Sequence, residues 1–356
     1  MRLLVSNLRF PLCMLIVFMH CNPLLFCVNV HKFNFVTFEF AQTFAMEFVF
    51  RLCVPLFFII SGYLFFLSFE KFTTQVYKEK LYRRLFSLLL PYLIWNLIFF
   101  FLYYIGSLFI GPMPSEKPVT DFTFSDFFWS FWNLGHVYNN PSFTGLVLDI
   151  PLWFVRDLMV MSIFSPIVYS LLVKTKGFVL ILFGIIWVGE FQPTMYAPSD
   201  QALFFFSLGA FAGIKKLSLP DKWGDNRCFL FLAIYFILFV LIAFFSHNKI
   251  RWMKHLNDLI GIVSFLLLFS HFTQRKGQWF PTNISGASFF LYAFFTLPLL
   301  LSQKIIVPIF EEYGNVGMFI SYFLCPSLVI FVGLLLYMGI TRFFPTWISR
   351  LLTGGR

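Results

Sequence analysis

The chain has 356 residues, of which 59% are hydrophobic and only 12% charged, whereas soluble proteins carry about a quarter charged residues. The net charge of +10 would suit a nucleic-acid-binding domain, but the basic residues lie in short stretches between apolar runs and act better as topology signals. The composition therefore excludes an ordinary soluble protein. It predicts an all-α polytopic membrane protein that binds no nucleic acid.

Ten apolar runs are long enough to cross a bilayer, which takes about 20 helical residues each. They lie near residues 10–30, 47–69, 85–110, 151–173, 177–195, 201–217, 227–246, 256–273, 285–303 and 317–344. The fifth and sixth have the least certain boundaries, because Gly184, Gly189, Pro193 and Pro198 interrupt them. No second domain or internal repeat is visible, so residues 1–356 are predicted to form one membrane domain.

Positive charge sets the orientation, since Lys and Arg concentrate in cytoplasmic loops. With the N-terminus inside, most of the 26 basic residues fall on the cytoplasmic side. Both termini are therefore predicted to be cytoplasmic, and the longest loop, about 111–150, to be external. The stretch Lys249, Arg251 and Lys254 falls outside, against this bias.

The first apolar run carries Arg9 at its start and His20 at its middle. Eleven residues make about three helical turns, so both side chains fall on one face, roughly 16 Å apart. An ionisable group at that depth is costly unless it faces a cavity or a partner, which makes His20 a functional hypothesis. The alternatives are a hydrogen bond to a neighbouring helix or a position at a kink beside Pro23.

The second run contains Arg51 and, further along, Ser61, Gly62 and Tyr63. The glycine permits close approach of another backbone, and the two hydroxyls can line a cavity. Helix packing by small residues explains Ser61 and Gly62 equally well.

Basic residues cluster just before the third run, at Lys78, Lys80, Arg83 and Arg84. Cations at a helix start suit phosphate groups, because the side chains and free backbone N–H groups point at the anion. Ordinary positive-inside bias would also place charge there.

The fourth run begins with Trp153, Arg156 and Asp157. An aromatic ring beside an arginine and a carboxylate suits a polyhydroxylated acceptor at the mouth of a cavity. Alternatively, the tryptophan is an interface anchor and the two charges neutralise one another.

The other histidines and the cysteines give weaker evidence of a functional role. His31, His136, His247 and His255 are assigned to loops and their surroundings, and His271 to an inner helix end. The six cysteines form no CxxC pair and no Cys/His spacing for a metal, so neither a disulfide framework nor a metal site is predicted.

These stretches, in this order, resemble the acyltransferase-3 family of bacterial membrane O-acyltransferases. The matching pieces are Arg-x10-His, Pro-Leu-Phe-Phe-x-Ile-Ser-Gly-Tyr-Leu, Arg-Arg-Leu-x5-Pro-Tyr and Leu-Trp-Phe-x-Arg-Asp-Leu, with Ser288 to Tyr292 as a fifth. The resemblance implies transfer of an acyl group, usually acetyl from cytoplasmic acetyl-coenzyme A, to a hydroxyl of a cell-surface or lipid-linked saccharide. It also implies a multi-pass protein of the bacterial inner membrane, embedded in lipid.

The resemblance implies that His20 corresponds to the essential histidine of the family and Arg9 to its companion. It also implies that Lys80, Arg83 and Arg84 face the coenzyme. An imidazole suits the task, because it accepts a proton near neutral pH as a sugar hydroxyl attacks the thioester. His20 carrying the acyl group itself is the other possibility. Tyr292 joins the residues expected to line the cavity.

The sequence departs from the family pattern at several positions. Asn7 stands where many members have an acidic residue, and Lys80 replaces one arginine of a cytoplasmic pair, which loses a forked phosphate contact. Tyr292 is followed by Ala293, Phe294 and Phe295 rather than by a histidine. Unlike some members, this chain is not expected to carry a fused hydrolase-like outer domain.

The alternative function is a secondary transporter or a flippase for a lipid-linked saccharide. His20 would then be a proton relay and Arg156 a substrate clamp. Such proteins are commonly built from inverted repeats, and none is visible in this sequence.

Overall fold

The computed structural model describes residues 2–29, 34–109, 117–190, 197–217, 225–245 and 251–355. These ranges are helical, with short 3₁₀ and π turns and no strand among them. The α-helices are α1 (Arg2–Met19), α2 (Val36–Phe48), α3 (Cys53–Leu67), α4 (Thr74–Arg84), α5 (Leu90–Phe109), α6 (Phe124–Ser130), α7 (Leu134–Tyr138), α8 (Trp153–Ile163), α9 (Ser165–Lys174), α10 (Val179–Val188), α11 (Asp200–Ile214), α12 (Asp225–Phe245), α13 (Arg251–Lys276), α14 (Thr282–Gly286), α15 (Ser288–Phe294), α16 (Thr296–Phe310), α17 (Gly314–Phe343) and α18 (Thr346–Thr353).

Several helical stretches of the described chain are long and apolar enough to cross a membrane. They are Val36–Leu67, Thr74–Leu108, Trp252–Lys276 and Thr296–Phe343, and the bent pair of α8 and α9 adds a further span if it is counted as one. The last stretch is a hairpin of α16 and α17, because Gly314 takes a positive φ of 60° and the chain reverses there. As a result Gly317 packs on Phe310 and Gly333 packs on Phe294. The prediction of an all-α chain with several apolar spans is confirmed.

The first helix differs from its predicted boundaries, since α1 is Arg2–Met19 and not 10–30. The helix ends where it does because Pro23 lacks an N–H and disfavours helical backbone before it; a short 3₁₀ turn, Pro23–Phe26, comes next. Arg9 therefore lies in the middle of α1 and His20 directly after its last residue. Placing Arg9 at the start and His20 at the middle of this helix was wrong.

The side chain of Asn7 joins α1 to the end of α13. Its side-chain N–H groups donate to the Thr273 hydroxyl at 3.2 Å and the Gly277 carbonyl at 2.8 Å, and its oxygen accepts from the Trp279 backbone N–H at 3.1 Å. The side chain is almost fully buried. All its side-chain polar atoms are thus satisfied by the end of α13 and the residues directly after it, which fixes the N-terminal half of α1 beside them.

Asn7→Ala is expected to lower the free energy of unfolding by about 2–3 kcal/mol, because it leaves buried donors and acceptors unpaired. The thermal unfolding midpoint of the purified protein measures this. Ser6→Ala, a change at a half-buried neighbour, is the control. An equal shift in both variants would contradict the role given to Asn7.

Beyond Asn7, α1 runs alongside α15 and α16 in the same direction. The Cys13 thiol donates to the Ser288 carbonyl at 3.2 Å, and further along the Asn22 backbone N–H donates to Gln303 Oε1 at 2.7 Å. On its other side α3 packs against α11 at very short range. A Cβ on Gly62 would lie 2.1 Å from the Phe206 carbonyl oxygen, so the predicted close backbone approach at Gly62 is confirmed.

The predicted external loop is folded from residue 117 onward, while its residues 111–116 lie outside the described chain. Tyr92 of α5 donates to the Phe131 carbonyl, and Asn96 Oδ1 accepts from the Asp149 backbone N–H at 3.1 Å. Burial opposes ionisation of Asp126, but hydrogen bonds from Lys117 and Thr123 lower its pKa to about 2. The loop is therefore held against α5 and leads directly into α8.

Candidate active site

One cavity brings together four of the residues that the sequence singled out. Arg9 of α1, Ser61 of α3, Arg84 of α4 and Tyr292 of α15 all line this cavity. The rest of its lining is mostly apolar and consists of Cys13, Phe57, Ile60, Leu64, Leu88, Phe154, Val155, Leu158, Ser288 and Phe289. Five helices that are distant in sequence, α8 included, thus meet around two cations.

The two arginines face this cavity without a counter-ion. No carboxylate is among the lining residues, and within the described chain neither guanidinium makes an ion pair or a hydrogen bond; Arg84 instead lies 5.6 Å from the centre of the Phe65 ring. Two desolvated cations in one cavity repel each other unless an anion joins them. The arrangement is that of an anion-binding cavity.

Arg83 and Arg84 point to different places because consecutive residues of a helix lie about 100° apart around its axis. Directly after α4, residues Leu85–Leu89 form a π-helical turn, which holds one residue more than an α-helical turn and rotates the next residues about the helix axis. Arg84 and Leu88 line the cavity, whereas Arg83 is exposed on the outer side of the helix. Lys80 donates to the Ser68 hydroxyl and lies over Phe65, outside the cavity lining. The predicted basic cluster is thus divided.

The polar groups deeper in the cavity differ in what they bind. The Tyr292 hydroxyl donates to the Pro151 carbonyl, whereas the Ser61 hydroxyl has no hydrogen bond to the described chain. Tyr63, which was expected to line a cavity, instead donates to the Leu217 carbonyl at 3.2 Å and is absent from this lining. Cys13 lies in the lining, although its sequence context suggested only a small buried residue.

His20 lies apart from the cavity. Its side chain is exposed, and its ring centre is 5.3 Å from that of Phe295, which is fully buried. The Phe295 ring is in turn 6.4 Å from that of Tyr292 in the cavity lining. One aromatic ring therefore separates the predicted base from the cavity that holds Arg9.

Arg156 and Asp157 are fully buried and satisfied by the protein. Arg156 donates to Asp157 Oδ1 at 2.8 and 3.2 Å, and to the Trp132 and Gly145 carbonyls at 2.6 and 2.9 Å. The other Asp157 oxygen accepts from the Ser199 backbone N–H at 2.8 Å. This pair, within α8, joins the loop of residues 117–150 to the start of α11. Trp153 beside it is half-buried against Phe58.

Asp157→Ala is expected to lower the free energy of unfolding by about 3–5 kcal/mol, since it leaves the buried Arg156 uncompensated. Thermal unfolding with Asp121→Ala, a change at an exposed loop residue, as control measures this. Unchanged stability together with a raised KM for the acceptor would show instead that Asp157 binds the acceptor directly.

A cluster of charged side chains lies at the junction of α2 and α3. The spacing of these residues in the sequence did not predict that they would meet. Arg51 pairs with Asp258 of α13 at 2.9 Å and with Glu47 at 3.2 Å. His255, which was assigned to a loop, is instead buried within α13, with its Nε2 3.4 Å from a Glu190 carboxylate oxygen. His31 and His247 lie outside the described residues. Among the described residues, no group of three or more His, Cys, Asp or Glu could hold a metal ion.

Comparison with known proteins identifies the family of the chain. A family described as an acyltransferase domain, acyltransferase-3, matches residues 5–349. The chain is an integral-membrane enzyme that transfers acyl groups. It belongs to the acyltransferase-3 family, as the sequence motifs predicted. It is 25% identical over 303 residues to the succinoglycan biosynthesis protein ExoH of Rhizobium meliloti (strain 1021), covering 75% of this chain and 77% of that protein. No solved structure gives a significant match.

Proposed function

We propose that this enzyme transfers an acyl group from cytoplasmic acyl-coenzyme A to a hydroxyl of a cell-surface or lipid-linked saccharide on the outer side of the membrane. Acetyl, with acetyl-coenzyme A as the donor, is the acyl group that the family favours. A relative named for succinoglycan biosynthesis supports a saccharide as the acceptor. The observation that carries the donor half is the cavity in which Arg9 and Arg84 face each other without a carboxylate.

The topology in this proposal has ten membrane crossings, both termini in the cytoplasm and the loop of residues 117–150 on the outer side of a bacterial inner membrane. Contacts between distant helices support the common side of the termini. Asn7, near the start of α1, bonds Gly277 after α13. Trp95, near the start of α5, donates to the Leu352 carbonyl of α18 at 3.0 Å. The basic Lys78 to Arg84 cluster lies at this same end.

Arg9 and Arg84 would hold the negative charge of the coenzyme diphosphate. A buried, charge-assisted hydrogen bond to phosphate is among the stronger contacts in proteins, and arginine offers it in forked geometry. The acyl-bearing arm would then extend along α1 past Cys13. It must cover the roughly 16 Å rise between Arg9 and His20.

At His20 the chemistry is a single displacement. The acceptor hydroxyl attacks the thioester carbonyl carbon while the imidazole takes its proton. The new C–O bond forms, the C–S bond breaks, and the thiolate leaves and receives a proton to give free coenzyme A. Since Phe295 separates His20 from the cavity, this ring must move aside when the acyl group arrives.

The remaining site residues have supporting roles in this proposal. Ser61 and Tyr292 line the path of the arm, and Lys80 adds positive charge beside Arg84. Trp153, Arg156 and Asp157 shape the acceptor side by fixing the outer loop on α8. Tyr63 supports the cavity wall from behind through its bond to Leu217.

The test uses the purified enzyme in lipid nanodiscs with isotopically labelled acyl-coenzyme A and candidate saccharide acceptors. The expected result is acceptor-dependent release of free coenzyme A together with a labelled, alkali-labile ester on the saccharide. Acetyl- and succinyl-coenzyme A supplied in parallel identify the acyl group. Uptake of saccharide into vesicles without release of coenzyme A would overturn the proposal and support a carrier.

A further inference from the structure

A second groove lies on the opposite side of the π-helical turn from the arginine cavity. We call it the α18 groove; it is lined by Tyr82, Arg83, Phe86, Ser87 and Leu90 on one side and by Thr346, Trp347, Arg350, Leu351, Gly354 and Gly355 on the other. It is a groove that opens to the surface. Neither the sequence motifs nor the proposed chemistry assigns a role to the C-terminal helix that forms half of it.

The two walls of the α18 groove are held in fixed positions, because α18 contacts both α5 and the π-helical turn before it. The Trp95 indole N–H donates to the Leu352 carbonyl at 3.0 Å. Gly354 closes the helix with a positive φ of 73°, and a Cβ there would lie 2.9 Å from the Ser87 carbonyl oxygen. Only glycine fits both this backbone conformation and this distance at low cost. The position of Arg350, one turn before Gly354, is therefore defined.

Charge and shape in the α18 groove point to one kind of ligand. Arg83 and Arg350 are exposed cations with no ion pair in the described chain, and no acidic residue lines the groove. Tyr82 and Trp347 are 66% and 63% exposed in the same lining. Two cations bind phosphate, and exposed aromatic rings stack on a flat heterocycle. An anionic phospholipid shares part of this chemistry, since interfacial Trp and Tyr rings also contact headgroups, and the experiment below separates the two ligands.

The groove and the cavity are neighbours. Phe289 lines the arginine cavity, and its ring is 3.5 Å from the Cβ position of Gly354 in the groove. Arg83 and Arg84 are consecutive residues that face the groove and the cavity respectively. A ligand in the groove is therefore about one helix diameter, roughly 10 Å, from the cavity.

We infer that the α18 groove binds the nucleotide end of acyl-coenzyme A, with Arg83 and Arg350 on its 3′-phosphate and Trp347 and Tyr82 against its adenine. This inference rests on the proposed function and extends it to Arg350 and Trp347 of α18, which lie outside the family motifs. The diphosphate then reaches Arg84 and Arg9, and the acyl arm enters the cavity. Arg350 and Trp347 determine affinity for the donor and take no part in the chemistry.

The experiment compares Arg350→Gln and Trp347→Leu with Arg342→Gln, an exposed cation in the last turn of α17 outside the groove. Titration calorimetry measures binding of coenzyme A, of coenzyme A lacking the 3′-phosphate, and of pantetheine. We expect Arg350→Gln to weaken coenzyme A binding about tenfold and to leave pantetheine binding unchanged. Coenzyme A lacking the 3′-phosphate should bind this variant and the wild type equally. Trp347→Leu should weaken both nucleotides several-fold, and Arg342→Gln neither.

Other outcomes separate the two proposals. Wild-type protein that binds no coenzyme A overturns the proposed donor and this inference together. Coenzyme A binding that is unchanged in both groove variants overturns the inference alone, and so does equal weakening of pantetheine. If Arg350→Gln instead loses a co-purified anionic phospholipid in native mass spectrometry while coenzyme A binds normally, the groove is a lipid site. Arg350→Lys, which keeps the charge and loses the fork, should retain part of the coenzyme affinity.

Discussion

His20→Ala is expected to lower the rate of acyl transfer by about 10²–10⁴-fold, the usual contribution of a positioned general base. The side chain is exposed beyond the end of α1 and makes no hydrogen bond within the described chain. Removing it should therefore leave the thermal unfolding midpoint and the affinity for coenzyme A unchanged. Release of free coenzyme A by the reconstituted enzyme, measured under saturating donor and acceptor, gives the rate.

A matched change at another histidine separates this effect from general damage. His271 lies near the opposite end of the bundle, beside Phe272, and His271→Ala is expected to keep nearly full activity. His20→Asn tests the proton transfer more finely, because an amide keeps polarity and cannot accept the proton. Wild-type turnover in either His20 variant would remove the base from the proposed mechanism.

Arg84→Gln is expected to weaken coenzyme A binding about 100-fold, since a charge-assisted contact in a desolvated cavity is lost. The same change relieves repulsion with Arg9, so the unfolding midpoint of the ligand-free protein should stay the same or rise. At a coenzyme concentration 100 times the wild-type Kd, ligand binding stabilises the wild type by about 2.7 kcal/mol and the variant by about 0.4 kcal/mol. Thermal unfolding with and without coenzyme A measures both effects.

Lys78→Ala on the exposed face of α4 is the control for net charge at this end of the bundle. It should change coenzyme A affinity less than twofold. A variant Arg84→Gln that is destabilised without ligand and binds coenzyme A normally would show that Arg84 has a structural role. Equal losses in Lys78→Ala and Arg84→Gln would indicate general attraction of the coenzyme to a basic surface.

The helical class and the presence of several apolar spans could be predicted, because both depend on local properties. A run of about 20 apolar residues is helical in a bilayer wherever the rest of the chain goes. The same holds for the small residue at Gly62, whose close contact with α11 results from its size. The order of the motifs was also enough to predict the family, because family membership depends on which residues occur and not on where the fold places them.

Grouping of side chains in space could not be predicted to the same degree. The division between Arg83 and Arg84 depends on which helices surround the end of α4, and the residues of α4 alone do not reveal its neighbours. The pairing of Arg51 with Asp258 joins helices separated by 207 residues. The end of α1 was misplaced because apolar residues continue past Met19, although the backbone has already turned toward Pro23.

The bonds of Asn7 to Thr273, Gly277 and Trp279 have a consequence for how the protein is made. During synthesis α1, which carries the polar amide of Asn7, is made long before α13. The partners of this amide are translated some 270 positions afterwards. The amide therefore lacks these partners until α13 and the residues directly after it have been made. We expect truncated chains ending before α13 to be cleared by membrane proteases, whereas separately expressed fragments that restore this contact should recover the coenzyme-binding cavity.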